Sequence, residues 1–86
     1  MAIVKRLILD ILKPHQPNVL DFSRAVADVG AGYEVAAVVL EVDERTETLR
    51  LEIEGEALDF DAIAAAITEA GGSLHSIDEV EVIGGV

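Results

Sequence analysis

An α+β two-layer sandwich, with four antiparallel strands backed on one face by two helices, is the fold class the sequence predicts. Three observations carry that expectation. Two segments alternate apolar and polar residues in period two, two others repeat apolar residues at helical spacing behind a capping side chain, and the elements follow one another as βαββαβ. With 86 residues, of which 51 % are apolar, the chain is expected to form one domain spanning residues 1–86. A domain of this size buries only about 60 % of the surface of its unfolded chain. Twelve alanines and three aromatic residues mean that the core is aliphatic.

The opening strand is expected over residues 3–13, where Ile3, Leu7, Leu9 and Ile11 share one face and Val4, Arg6, Ile8, Asp10 and Leu12 the other. Pro14 and Pro17 bracket a rigid turn. Asn18 then caps a helix, Asp21 occupies its first turn, and Val19, Phe22, Val26 and Val29 form the inward stripe until Gly30 and Gly32 stop it. Residues 33–43 are rich in β-branched types and apolar on both faces, and Asp43-Glu44-Arg45 turns the chain. A third strand over residues 46–54 alternates cleanly, with Leu49, Leu51 and Ile53 on one side and Thr48, Arg50, Glu52 and Glu54 on the other. Asp59 caps a second helix carrying Phe60, Ile63, Ala64 and Ile67, and Gly71-Gly72 ends it. In the last strand, residues 74–83, Ile77 and Val80 cannot share a face without an irregularity, which predicts a bulge near Asp78 or Glu79. Two split βαβ halves joined by a hairpin give the ferredoxin-like sandwich with strand order 4-1-3-2 and both helices on one face.

Composition excludes several functions. Seventeen acidic against six basic residues give a net charge of −11, which repels nucleic acid and anionic membranes, so neither is expected as a partner. No cysteine is present, so disulfides, thiolate chemistry and iron–sulfur ligation are excluded. The longest apolar runs, Val35 to Leu40 and Ala62 to Ile67, are too short for a membrane-spanning helix, and a cytoplasmic location is expected. The acidic residues are spread along the chain, a pattern like that of proteins from halophiles, whose cells hold molar salt; an acidic surface made for a cationic partner is the alternative.

A two-layer sandwich leaves one sheet face bare, and here aliphatic side chains from the first two strands accompany Thr48, Arg50 and Glu52 on it. Another copy of the chain is the simplest cover, through the sheet face or an edge strand, in a ring or dimer.

Two constellations are candidate sites. The end of the first strand and the start of the last are expected at the same rim beside the first helix N-terminus, so Lys13, His15, His75 and Ser76 would surround a phosphate or carboxylate. The alternative is that they are turn residues. Counting back along the antiparallel ladder brings Asp10 opposite Asp78 and Glu79, where like charges call for a cation such as Arg6 or a divalent metal, calcium or magnesium. Chance clustering in an acidic chain is the other reading. Enzyme signatures are missing: the serines near Gly71 to His75 form no nucleophile elbow, and no Walker loop or H-E-x-x-H motif occurs, so catalysis is not expected.

The segments Leu9-Asp10-Ile11-Leu12-Lys13-Pro14-His15-Gln16-Pro17, Leu58-Asp59-Phe60-Asp61 and Gly71-Gly72-Ser73-Leu74-His75-Ser76-Ile77-Asp78-Glu79-Val80, in that order, resemble the small archaeal proteins grouped as domain of unknown function family 211. The resemblance spans nearly the whole chain. It implies a ferredoxin-like fold, homo-oligomeric rings, an archaeal cytoplasmic origin, a divalent cation such as calcium as ligand, and no established activity. Together these readings give a non-enzymatic, oligomeric binding module, regulatory in character, that holds a metal ion or small anion; a structural oligomer without ligand is the alternative.

Overall fold

A computed structural model describes residues 1–85; Val86 lies outside the described residues. The elements are β1 (Ile3–Pro14), α1 (Val19–Ala27), β2 (Glu34–Val42), β3 (Thr46–Glu54), α2 (Phe60–Glu69) and β4 (Ser73–Ile83). The sheet runs β2-β3-β1-β4 with every neighbouring pair antiparallel. That is the expected order read from the opposite edge. The chain has the ferredoxin-like α+β fold.

Period-two alternation places the core where the sequence puts it. Leu7, Leu9 and Ile11 of β1 and Leu49, Leu51 and Ile53 of β3 are buried against Phe22 and Val26 of α1, Ile63 and Ile67 of α2, and Leu58. Both expected caps are formed: Asn18 Oδ1 accepts from the Asp21 amide at 2.8 Å, and Asp59 Oδ1 from the Ala62 amide at 3.1 Å. These bonds satisfy amides that have no partner within the helix. The first helix ends at Ala27, short of the glycines expected to stop it; Val29 packs against the core from the connection that follows.

At the end of α2, Gly71 has φ +90°. Its amide bonds Thr68 O and that of Gly72 bonds Ile67 O, closing the helix in a left-handed conformation that glycine adopts without steric cost. Gly72 is constrained by space instead. A Cβ there would sit 3.0 Å from two Phe22 ring carbons and 3.1 Å from Ile67 Cγ2.

The β1–β4 ladder carries three irregularities. One leaves Asp78 as an extra residue between Ile77, which pairs with Leu9, and Glu79, which pairs with Ile8. This is the expected bulge, and it lets Ile77 and Val80 both lie opposite core-facing residues. A second makes His75 the extra residue between Leu74 and Ser76. The third falls at Lys5 in β1 and corrects an expectation, because the shift in alternation packs Val4 against the core and not on the bare face. Ile8 and Leu12 remain on that face, half-buried. Apart from Leu20 on α1, the exposed large aliphatics are instead at the two edge strands: Val38, Val39, Leu40 and Val42 on β2, and Ile77, Val80, Val82 and Ile83 on β4.

Candidate functional site

Three clusters of polar side chains lie along β1, and alternation decides which face each one serves. Odd-numbered Lys13 follows Leu7, Leu9 and Ile11 onto the helix side, where it is 1 % exposed. Its ammonium donates to the carbonyls of Pro14 at 2.8 Å and Pro17 at 2.7 Å and lies 3.8 Å from Glu47 Oε1. A buried lysine needs such acceptors, because an isolated ammonium loses its hydration without return. It ties the proline turn, whose Gln16–Pro17 peptide is cis, to the strand that precedes it.

His15 meets the same carboxylate. Its Nδ1 is 3.0 Å from Glu47 Oε1, and its Nε2 is 2.9 Å from Asp43 O and 3.1 Å from Glu44 O. Every one of these partners is an acceptor, so only the imidazolium, with a proton on each nitrogen, satisfies both sides of the ring. Consistently, the hydrogen bond that His15 donates to Glu47 raises the His15 pKa above its ordinary value, against some desolvation, and the two turn carbonyls add to the rise. Lys13, Glu47 and His15 thus clamp the β2–β3 turn to the end of β1.

On the bare face, Arg6 gathers three carboxylates. Its terminal nitrogens pair with Glu52 and Glu79, and Nε lies 3.2 Å from Glu54. Hydrogen bonding to Glu52 is the first cause of a further upward shift in the guanidinium pKa. Three β-strands therefore share one cation at this point.

Asp10 lies on the same face, between Arg50 of β3 and Ser76 of β4. Its Oδ1 is buried and has no hydrogen-bond partner among the described residues. A cavity of about 130 Å³ opens beside it, lined by Asp10, Ile11, Leu12, Thr48 and His75.

The expected rim is present: Leu12 pairs with Ser73, and a methyl at Gly71 would lie 3.7 Å from Pro14 Cγ. The expected anion quartet is not assembled there. Lys13 and His15 meet on Glu47, a carboxylate the protein itself supplies, whereas His75 lines the cavity on the opposite face and the Ser76 hydroxyl donates to Asp78 Oδ1 at 2.6 Å. The acidic trio is corrected by the register. The ladder starts with Leu12 opposite Ser73, and Asp10 faces Ser76, two positions short of the expected Asp78; Glu79 is taken by Arg6. Among the described residues no group of three histidine, aspartate or glutamate side chains is disposed to hold a metal ion. The sequence reading overlooked Glu47 and Thr48 as site residues, since it counted register only along the β1–β4 ladder; the opposite charges of Lys13 and Glu47, facing each other across β1 and β3, were the signal available.

The segments that compose these clusters are also those that carry a family likeness. Residues 5–85 match DUF211, described as uncharacterized ArCR. The chain belongs to that family. A relative in it, the uncharacterized protein MJ0319 of Methanocaldococcus jannaschii, is 43 % identical over 77 residues, covering 90 % of this chain and 79 % of its own. The family match takes in the Lys13–His15–Glu47 clamp, the Arg6 cluster and the Asp10 cavity alike.

Proposed function

We propose that the chain is a self-assembling, non-enzymatic binding module whose ligand sits on the bare sheet face where β1 meets β4. The observation that carries the assembly half is the placement of exposed aliphatics. They occupy both edge strands, with Leu40 55 % and Val42 63 % exposed on β2, and Val80 54 % and Val82 49 % on β4. An edge strand also offers unpaired backbone groups, so apolar side chains there favour covering by another chain. The two edges lie on opposite sides of the molecule and differ in sequence. Joining β4 of one copy to β2 of the next is a heterologous contact, the kind that closes into a ring when the rotation permits.

The binding half rests on the unpartnered Asp10 oxygen beside its cavity. A divalent cation there has one carboxylate in place of the three expected, with water supplying the rest of its shell, an arrangement magnesium accepts more readily than calcium. Catalysis has little support. The histidine bonded to a carboxylate, His15, has its other nitrogen occupied by two carbonyls, which leaves no position to take a proton from a substrate.

Sedimentation velocity tests the reading. The wild-type chain is expected to sediment as an oligomer, and Val80→Lys with Val82→Lys as a monomer of unchanged circular dichroism. A monomeric wild type at about 100 μM, where even contacts of modest affinity persist, defeats the proposal. Assembly that survives both chelator and Asp10→Ala, in a protein that binds nothing, favours a structural oligomer without ligand.

A further inference from the structure

We infer that the Asp10 cavity is a site for a primary ammonium group on a short alkyl stem. The inference rests on the binding half of the proposed function and is independent of assembly. Asp10 Oδ1 is buried without a donor among the described residues, a state that costs free energy, and the carboxylate gains from any donor that reaches it from the cavity it lines. Two more polar side chains line the cavity, Thr48 and His75, and neither side chain makes a hydrogen bond among the described residues. A carboxylate oxygen and a hydroxyl oxygen are acceptors beside an imidazole ring, and a primary ammonium has three donors to place among them.

Leu12, half-buried on the same face, is an aliphatic wall that suits a methylene stem. The volume of about 130 Å³ equals the liquid share of about four water molecules, so the site takes a head group and a few carbons, not a nucleotide or a sugar. A net charge of −11 favours approach of a cation and opposes an anion. The chain's own Arg50, opposite Asp10 in the β1–β3 ladder, makes no ion pair with it, so the carboxylate is left for a ligand.

Amide chemical shifts of isotope-labelled protein titrated with n-butylammonium chloride test the assignment. Saturable shifts are expected at Asp10, Leu12, Thr48 and His75. Tetramethylammonium, of equal charge but without N–H donors, and n-butanol, without charge, are expected to leave them unchanged. Asp10→Asn should weaken binding by about tenfold or more, as loss of a charge-assisted bond does, and Thr48→Val, which leaves the core untouched, should weaken it less. N-acetyl-lysine amide as a second probe separates sources: binding as tight as that of butylammonium identifies a protein lysine, weaker binding a free amine. Equal shifts with tetramethylammonium overturn the inference. So does binding that appears only in Arg50→Ala, which would show that the protein's own guanidinium closes the site. Shifts at these residues with magnesium or phosphate but not with the amine overturn the ammonium assignment and leave the binding module standing; silence from all of them overturns both.

Discussion

Lys13, near the end of β1, and His15, just beyond it, meet the same Glu47 carboxylate, yet solvent treats them differently. Lys13 is sealed, with a side chain 0 % exposed, and its ammonium holds two carbonyls and a carboxylate together. Lys13→Met keeps the aliphatic stem and removes the charge, leaving Glu47 and the Pro14 and Pro17 carbonyls short of a donor. Breaking a buried pair in this way costs about 3 kcal/mol or more, and urea denaturation should show that loss; a change within 0.5 kcal/mol would contradict the clamp. His15 is partly open to water, and its effect is read through pH. Its folded pKa is raised above 6.5, so its contribution to stability is complete below that ordinary value and is lost as pH rises through the folded value. Thermal melts should therefore decline from about pH 6.5 upward in the wild type, with this step missing in His15→Ala. Equal profiles for the two proteins would exclude the imidazolium. Neither role was legible from the L-D-I-L-K-P-H-x-P segment alone, because the deciding partner, Glu47, comes from a strand more than thirty positions away.

At the scale of elements, most of the architecture was legible. The caps at Asn18 and Asp59, the inward stripes of both helices and the alternation of β3 are local patterns that need no tertiary information. The bulge at Asp78 was legible too, because Ile77 and Val80 have no common face in a regular strand. The bulges at His75 and Lys5 were not, and neither was the starting register, Leu12 opposite Ser73, which leaves Asp10 facing Ser76 in place of its expected partners. One extra residue reverses the alternation beyond it, so an error of one position becomes a different site. The junction of α2 and β4 offers a sharp test of packing. Gly72→Ala puts a methyl against Phe22 and Ile67 at about 3 Å, an overpacking that costs about 1–3 kcal/mol. Gly84→Ala, with nothing within 4 Å, should leave the melting temperature unchanged. Equal effects of the two substitutions would mean that the Gly72 contact relaxes without cost.

The molecule measures 46 × 22 × 17 Å, elongated because β1 and β4 are long, and among the described residues no helix is long and apolar enough to cross a membrane. Its charge is a property of this scale. With a net charge of −11, repulsion among surface carboxylates opposes the compact state, and salt screens it as the Debye length falls from about 10 Å at 0.1 M to about 3 Å at 1 M. The melting temperature should rise over that range of sodium chloride, and Arg6→Ala, which releases Glu52, Glu54 and Glu79 from their shared cation, should steepen the rise. A flat salt response would count against charge repulsion as a term in the stability of this fold. Salt is also expected to strengthen association through the β2 and β4 edges, where the exposed side chains are aliphatic.

Residue order alone determined the sandwich, its strand order, its core and the family, because each depends on periodicities and segments that repeat over many positions and tolerate an error of one. Tertiary structure alone decided which polar groups meet. That question turns on register between strands distant in sequence, which is why Glu47 and not a bound anion joins Lys13 to His15, and why Asp10 faces an open cavity in place of two other acids.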